Sequence, residues 1–297
     1  MTDVLVRDTD LASLAKQVVV ITGGSSGIGL AATKLLLSLG ASVVIGDVQP
    51  PRDGFHHDSL AYQQTDVTKW SDLLTLFQKA KDVHGRIDHV FANAGISVRA
   101  NYLATDLDEN GDLKEPSFES QEVNLRGWIN TATLGMYYMR PEQQSGEGSI
   151  VITSSIAGFS RFRAVDYASA KHGNLGFMRA MHQILVDEKL PIRINAIGPS
   201  WTRTGIVPGA MMEKLGVELQ EPEDAARSAL ILMADSSRNG QFMHSCGGRF
   251  KEIEESIFVP ATLQVVGKGK HTEDDDLKRA MELMGGSYKD KGLAGLA

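Results

Sequence analysis

Short apolar runs alternate with longer amphipathic stretches along most of the chain. The segment 17–22 (Gln-Val-Val-Val-Ile-Thr) is rich in β-branched residues, which is typical of a strand buried on both faces. A glycine-rich turn follows, then a helical pattern at 30–39 that stops at Gly40, and then a second apolar run at 42–46. This order predicts a strand–helix–strand unit.

The same alternation continues toward the C-terminus. Helical patterns occur at 70–84, 119–139, 167–188 and 223–234, and apolar runs occur at 87–92, within 148–155 and at 192–197. Strands that alternate with helices are typical of a parallel, doubly wound sheet with helices on both faces. Because the alternation never resets, we predict an α/β fold with one domain at 17–250, an N-terminal extension at 1–16 and a charged tail at 251–297.

Two polar regions fall outside the alternation. Residues 100–118 form an acidic insert, and the tail contains a run of four acids at 273–276, so we expect the tail to be partly disordered or to lie on a partner subunit. The insert begins like a calcium-binding loop at Asp106. The position that should supply a bidentate acid is Ser117, so we interpret the insert as a solvated loop and predict no metal site.

Composition and charge narrow the class of protein. The chain has 297 residues, 42% hydrophobic and 23% charged, with a net charge of −7. An acidic balance argues against a nucleic-acid partner, and the absence of a long apolar run argues against a membrane span. With the single cysteine Cys246 and no secretory pattern in the first residues, we expect a cytoplasmic protein that acts on a small molecule.

The glycine-rich turn is suited to a dinucleotide. It comprises Gly23, Gly24, Ser25, Ser26, Gly27, Ile28 and Gly29, and it joins a predicted strand to a predicted helix. A pyrophosphate binds at such a helix N-terminus, where glycines permit close approach. Asp47 ends the next strand and could accept both adenosine ribose hydroxyls, and neither Ser26 nor Val48 is a base that could pair with a 2′-phosphate. We therefore predict NAD; the alternative is that the glycines only shape a turn and Asp47 only caps a strand.

Tyr167 and Lys171 form a second candidate site. Their spacing places them on one face of a helix. A phenol with a pKa of about 10 is a poor base at neutral pH, but a nearby ammonium and a nicotinamide cation would both stabilise the phenolate. Tyr167 could then take a proton from an alcohol while hydride leaves the carbon.

Together these motifs resemble the short-chain dehydrogenase/reductase family. The pieces that carry the resemblance, in family order, are Thr22–Gly29, Asp66-Val67, Asn93-Ala94-Gly95, Asn124, Ser154-Ser155, Tyr167–Lys171 and Pro199–Thr204. They span roughly residues 17–250, and the chain looks most like NAD-dependent 15-hydroxyprostaglandin dehydrogenase relatives and fungal secondary-metabolite dehydrogenases. The resemblance implies a single-domain, Rossmann-like fold.

The resemblance also implies a role for each matching position. Asp66 would contact the adenine amine beside the Val67 backbone, and Asn93, Ala94 and Gly95 would close against the adenosine ribose. Asn124 would hold a water that connects Lys171 to solvent, and Lys171 would also bind the nicotinamide ribose. Pro199, Thr202 and Thr204 would border the nicotinamide, with Thr204 binding its carboxamide or the phosphate. Relatives assemble through the two long helices, which implies a homodimer or homotetramer.

The identity of the catalytic serine needs a choice. In the family this serine stands three residues before a glycine, so Gly158 indicates Ser155, whose hydroxyl would bind the substrate oxygen. The spacing from Ser155 to Tyr167 is then one residue shorter than is usual, and the alternative register through Ser154 stays open. Ser200 also departs from the family, which usually has glycine after Pro199.

Large apolar side chains occupy the segments expected to border the substrate. We take Ile156, Phe159, Trp201, Ile206 and Met211 as substrate contacts, which indicates a bulky hydrophobic substrate, although part of this set could be core or interface. Three hypotheses follow: an NAD-dependent dehydrogenase of a hydrophobic secondary alcohol, a ketone reductase of a biosynthetic pathway, or a non-redox cyclase or scaffold on the same fold.

Overall fold

A mostly parallel sheet forms the centre of the computed structural model, which describes residues 3–144, 146–267 and 272–283. Its strands are β1 (Asp3–Val4), β2 (Val18–Thr22), β3 (Ser42–Asp47), β4 (Leu60–Gln64), β5 (His89–Ala92), β6 (Gly148–Thr153), β7 (Ile192–Pro199), β8 (Phe242–Cys246) and β9 (Arg249–Glu252). The spatial order is β1-β9-β8-β7-β6-β5-β2-β3-β4. Strands β2 to β8 pair in parallel, whereas β9 and β1 are antiparallel additions at one edge.

Helices cover both faces of this sheet. They are α1 (Gly27–Ser38), α2 (Trp70–His84), α3 (Glu119–Gln121), α4 (Gly127–Tyr138), α5 (Val165–Asp187), α6 (Gly209–Lys214), α7 (Pro222–Ala234), α8 (Val259–Val266) and α9 (Glu273–Leu283), and a π turn (Glu122–Arg126) joins α3 to α4. One core lies under α2, α4 and α5 around Phe77 and Trp128. A second core lies under α1 and α7 around Leu36 and Leu230. The doubly wound α/β prediction is confirmed.

The sheet topology brings the predicted motifs together at the carboxyl ends of the parallel strands. Strand β2 lies between β3 and β5, so the strand order reverses next to the glycine turn. In such sheets, ligands bind outside the carboxyl ends of the strands at this reversal. The segments that follow Thr22, Ala92, Thr153 and Pro199 therefore meet at the carboxyl ends of the strands.

The two ends of the chain depart from the predicted organisation. Strand β1 of the N-terminal extension pairs with β9, and β9 crosses the predicted boundary at residue 250. The start of the tail packs on the domain, because Ile253 is buried and Glu254 forms a bidentate ion pair with Arg179. That the tail is partly disordered or lies on a partner subunit stays a prediction. The tail residues 268–271 and 284–297 lie outside the described residues.

The acidic insert at 100–118 is an exposed loop, as predicted. Its turn is held by the Asp108 carboxylate, which accepts the N–H groups of Asn110 and Asp112 at 2.8 and 3.0 Å. Within the described ranges, no three His, Cys, Asp or Glu side chains come together in a way that could hold a metal ion. Over the same ranges, no helix combines the length and apolar character needed to cross a bilayer.

Candidate active site

The glycine turn is packed too tightly for side chains. A Cβ on Gly29 would lie 2.0 Å from the Gly23 carbonyl oxygen, and a Cβ on Gly24 would lie 2.4 Å from the Ile45 side chain. Gly23 and Gly27 adopt φ values of +70° and +51°, a region that L side chains rarely adopt. Helix α1 then begins without a side-chain cap, so its first-turn N–H groups are free to face an anion.

A buried hydroxyl supports a ligand at this turn. Ser25 is 2% exposed, and its Oγ has no hydrogen-bond partner among the residues that the structure describes. An unpaired buried hydroxyl is costly, so this atom fits a polar group of a bound molecule. The backbone N–H of Ser25 donates to Oδ2 of Asp47 at 3.1 Å, which holds that carboxylate beside the turn. These features suit the pyrophosphate and ribose of a dinucleotide.

Arg52 is a neighbour of the glycine turn that sequence analysis missed. Its backbone N–H donates to the Ser25 carbonyl at 3.1 Å, and its side chain lines a surface crevice of about 420 Å³ together with Gly27, Lys34 and Thr204. Arg52 lies five residues after Asp47, away from the positions next to the turn and next to Asp47 where a base for a 2′-phosphate is expected. Arg52 has no motif spacing that could have revealed it, because the loop that follows Asp47 folds back over the turn.

Asp66 and Val67 lie beyond the end of β4. Burial raises the pKa of the Asp66 carboxyl, but hydrogen bonds from Thr68 and the charge of Lys69 outweigh burial and bring the pKa below its ordinary value. Asp66 therefore stays ionised at neutral pH. It lines a second cavity, of about 400 Å³, with Val48, while Val67 is buried against Gly127. Their predicted contact with adenine remains a prediction.

Asn93 ties three strand ends together. Its backbone N–H donates to Oγ1 of Thr22 at 3.2 Å, and its Nδ2 donates to the Gly23 carbonyl at 3.1 Å. Its Oδ1 accepts the Thr153 hydroxyl at 3.1 Å. The segment 93–95 is thus a brace between the glycine turn and β6.

Asn124 is fully buried in the π turn that joins α3 to α4. Its Oδ1 accepts the Ile96 N–H at 2.9 Å, and its Nδ2 donates to the Ile96 carbonyl and to Ser120 Oγ, both at 3.0 Å. Its backbone carbonyl accepts Nδ2 of Asn174 at 3.0 Å. Because both Nδ2 donors are already paired, the predicted relay water would have to donate to a remaining lone pair, on Oδ1 or on this backbone carbonyl.

Tyr167 and Lys171 lie on α5 as the spacing predicts. Nζ of Lys171 is buried, donates to the Thr153 carbonyl at 3.0 Å and lies 5.1 Å from the Tyr167 ring centroid. Burial raises the pKa of the Tyr167 hydroxyl, and a hydrogen bond with the Ser155 side chain lowers it in part. Burial also holds the pKa of Lys171 well below its ordinary value.

The two adjacent serines have different surroundings. Oγ of Ser154 donates to the Lys171 carbonyl at 2.9 Å, and a Cβ on Gly158 would lie 2.4 Å from it, so Ser154 is part of the packing between β6 and α5. Ser155 instead lies beside the Tyr167 hydroxyl, whose pKa its side chain lowers, and its Oγ accepts the Ala157 N–H at 3.1 Å. The geometry favours Ser155 as the serine beside Tyr167.

The loop after Pro199 is braced by Gln220, another residue that sequence analysis missed. Nε2 of Gln220 donates to Thr202 Oγ1 at 3.0 Å, and its backbone exchanges hydrogen bonds with Trp201 and Arg203. Thr202 is therefore buried in the brace. Thr204 is the threonine that contacts the glycine turn, since a Cβ on Gly27 would lie 3.1 Å from its methyl group.

The predicted substrate contacts separate into two groups. Trp201 packs against Phe162 with the rings tilted by 47° and their centroids 5.7 Å apart, while Ile206 and Met211 are exposed and Ile156 is partly buried. The Phe159 ring packs against three other rings, and its contact with substrate stays a prediction. These rings belong to Phe242, His244 and Phe258, at centroid distances of 5.5, 6.0 and 5.8 Å.

Asp166 fixes the start of α5 and was also missed. It is fully buried, and its Oδ2 accepts the N–H groups of Arg99 and Ala100 at 2.7 and 3.1 Å. Its Oδ1 accepts the N–H of Tyr167 at 2.8 Å. An acid at the first turn of a predicted helix is a recognisable cap signal, but its long-range partners are visible only in three dimensions.

Comparisons with known proteins agree with this arrangement. The family described as short chain dehydrogenase matches residues 17–215. The short-chain dehydrogenase/reductase ascJ of Acremonium egyptiacum is 58% identical, covering 96% of this chain and 97% of the relative. The 15-hydroxyprostaglandin dehydrogenase [NAD(+)] of Rattus norvegicus is 28% identical, covering 82% and 96%.

A solved structure shares the fold as well. The 3-ketoacyl-(acyl-carrier-protein) reductase from Brucella melitensis, complexed with NADH, aligns with a TM-score of 0.65 and 25% identity, covering 80% of this chain and 99% of that chain. The family match covers more than half of the sequence, and the relative from Acremonium egyptiacum is similar over almost all of it. The chain belongs to the short-chain dehydrogenase/reductase family.

Proposed function

We propose that the chain is an NAD-dependent oxidoreductase that moves a hydride between nicotinamide and a hydrophobic secondary alcohol or the matching ketone. The observation that carries the proposal is the group at the carboxyl end of β6: Ser155 beside the Tyr167 hydroxyl, with buried Lys171 behind Tyr167. Like the glycine turn, this group lies at the carboxyl ends of the parallel strands. The bound cofactor would supply the hydride acceptor or donor.

The chain's own residues would handle the proton and the substrate oxygen. Tyr167 would take the hydroxyl proton of the alcohol, and the Lys171 ammonium would stabilise the resulting phenolate. Ser155 would donate a hydrogen bond to the substrate oxygen as charge develops there. Asn124 would hold the water through which Lys171 exchanges protons with solvent.

The cofactor would be held along the glycine turn. Gly23, Ser25, Ser26, Ile28 and Gly29 would surround the pyrophosphate with backbone N–H groups and the Ser25 hydroxyl. The further contacts are those predicted from the sequence at Asp47, Asp66, Val67, Asn93, Ala94, Gly95, Pro199, Thr202 and Thr204. Asp47 would accept the adenosine ribose hydroxyls and repel a 2′-phosphate, which is the basis for choosing NAD.

The purified protein is expected to oxidise members of a panel of apolar secondary alcohols, with kcat/KM at least ~10-fold higher for NAD than for NADP, the discrimination that about 1.4 kcal/mol provides. Asp47→Ser should narrow that ratio, because the variant no longer repels a 2′-phosphate. The measurement is NADH or NADPH absorbance at steady state. A preference for NADP in the unaltered protein would contradict the cofactor assignment and make Arg52 its explanation.

The same assay addresses the alternatives. Initial rates in both directions distinguish a dehydrogenase from a ketone reductase of a biosynthetic pathway, since both use the same residues. If no hydride from 4-labelled NADH reaches any product, a non-redox cyclase or scaffold on this fold becomes the better hypothesis.

The two serines provide a matched pair for the catalytic assignment. Ser155→Ala should lower kcat by about 100- to 1,000-fold, the cost of losing one hydrogen-bond donor to a developing oxyanion. Ser154→Ala should instead lower the free energy of unfolding by roughly 1 kcal/mol, through loss of its bond to the Lys171 carbonyl, with kcat changed only a few-fold. The reverse pattern in kcat and in thermal unfolding would restore the register through Ser154.

The oligomeric state follows the family in our proposal. The faces of α4 and α5 carry exposed apolar side chains, including Tyr137, Val165 and Val186. Their burial between copies would suit a homodimer or homotetramer.

A further inference from the structure

The ammonium of Lys171 has few partners for a buried charge. The residue is 2% exposed, and the Thr153 carbonyl at 3.0 Å is the hydrogen-bond acceptor that the structure places on Nζ. A buried ammonium needs compensation, because the protein interior solvates charge poorly. Burial is the cause that lowers the pKa of Lys171, and no neighbouring charge in the described part of the chain raises it. The compensation that a carboxylate would ordinarily supply must come from another group.

Trp128 is placed to stabilise the buried charge of the Lys171 ammonium. Nζ of Lys171 lies 3.5 Å from the centroid of the Trp128 ring, well inside the range for a cation–π interaction. Tryptophan has the most favourable π face of the three aromatic side chains. The distance from Nζ to the Tyr167 ring centroid is longer, 5.1 Å, so the indole is the nearer ring.

The indole ring cannot turn away from this position. Trp128 is 1% exposed, and its ring N–H donates to the Ala94 carbonyl. Its backbone lies in the first turn of α4, directly after the π turn that carries Asn124. The ring is therefore anchored at its edge to the segment after β5, while its face meets Lys171.

We propose that Trp128 is a positioning residue whose indole face holds the protonated Lys171 ammonium behind Tyr167, in the place of a carboxylate counter-ion. Trp128 would not touch the reacting atoms. It would act through Lys171, and its contribution to turnover rests on the function proposed above.

The groups that the structure places at Nζ do not include a carboxylate among the described residues. Helix α5 contributes the Tyr167 ring and strand β6 contributes the Thr153 carbonyl, so the indole is the remaining group that can stabilise the ammonium. The nearby acid Asp166 uses its carboxylate oxygens to accept backbone N–H groups at the start of α5. Tyr167 is thus the titratable partner of Lys171.

The sign of the expected pH effect follows from this arrangement. Removing the π face disfavours the ammonium, so Lys171 loses its proton at lower pH. Without that positive charge the Tyr167 phenolate forms less readily. The midpoint of the alkaline rise in alcohol oxidation therefore moves to higher pH.

Two substitutions distinguish the effect of losing the Trp128 π face from the effect of losing its packing. Trp128→Phe and Trp128→Leu both lose the indole N–H and both leave a smaller apolar side chain, but only Phe keeps a π face. Trp128→Leu should move the midpoint of the kcat/KM pH profile upward by ~1 pH unit or more, and Trp128→Phe by clearly less. Equal losses of rate in both variants, with no movement of the midpoint, would reduce Trp128 to a packing residue.

A second measurement needs neither cofactor nor substrate. A charge beside an indole alters its emission, so the emission of Trp128 should change as Lys171 titrates. Subtracting the signal of Trp128→Phe from that of the unaltered protein isolates Trp128 from Trp70 and Trp201. The difference signal should show a transition below the ordinary pKa of lysine, and Lys171→Met should abolish it.

The pH profile and the emission transition test the Trp128 proposal and the proposed function separately. If the emission transition is missing, or persists in Lys171→Met, the proposal is wrong whatever the enzyme does. If the transition is present but no alcohol is oxidised, the proposed function fails and the Trp128–Lys171 contact stands. The emission test and Trp128→Phe also remain available should Trp128→Leu not fold.

Discussion

Tyr167→Phe is expected to reduce kcat for alcohol oxidation by about 100- to 10,000-fold, the usual contribution of a positioned acid–base group. Phe keeps the ring that packs beside Lys171 but removes the hydroxyl that lies beside Ser155. NAD binding should be nearly unchanged, because the glycine turn and Asp47 are untouched. Steady-state NADH absorbance gives kcat, and isothermal titration calorimetry gives the Kd for NAD.

Tyr137→Phe is the matched control for this substitution. Tyr137 lies on α4 with half of its side chain exposed, and it also loses only a hydroxyl. It should keep the unaltered kcat. Turnover of Tyr167→Phe at the rate of the unaltered protein would end the assignment of Tyr167 as the proton acceptor.

Gly29→Ala should weaken NAD binding by about 100-fold or more and also lower the thermal midpoint by several degrees. The new Cβ would lie 2.0 Å from the Gly23 carbonyl and 2.7 Å from Asn93 Nδ2, and the first of these is backbone that no rotamer change can move. Overpacking of this kind costs roughly 1–3 kcal/mol. The displaced turn would also lose its alignment with the pyrophosphate.

Gly176→Ala offers a control with the same change in composition. Gly176 lies in α5, and a Cβ there would meet no atom of the described residues within 4 Å. Alanine favours helix over glycine by roughly 1 kcal/mol, so this variant should be as stable as the unaltered protein or more stable. If calorimetry and thermal unfolding showed Gly29→Ala to behave like Gly176→Ala, the close approach at the turn would not matter.

Burial distinguishes the predicted strands β2 and β3 from the missed strands β4 and β9. Strands β2 and β3 carry continuous apolar runs because helices cover both of their faces. Strand β4 (Leu-Ala-Tyr-Gln-Gln) lies at the sheet edge and is only partly buried, so it has no apolar run to detect. Strand β9 alternates exposed and buried residues, but over four positions that alternation is too short to predict a strand.

The candidate site shows the same division between local and distant information. The glycine turn and the Tyr167–Lys171 pair are local motifs, so spacing alone reveals them. Gln220 and Trp128 act through contacts with residues far along the chain, Ser245 and Lys171, which only the folded sheet brings together. Motif spacing likewise left the registers through Ser154 and Ser155 both open. Only the surroundings of the two side chains in the folded protein favour Ser155.

The pairing of β1 with β9 has a consequence for the order in which the protein is made. Asp3 lies opposite Lys251 in this ladder, so β1 is translated long before its partner strand. Strands β2 to β7 can assemble while synthesis continues, since all the strands beside them are translated before β9. Strand β1 has to wait, unpaired, until β9 emerges, and the N-terminal segment is therefore the last part of the sheet to be enclosed during translation.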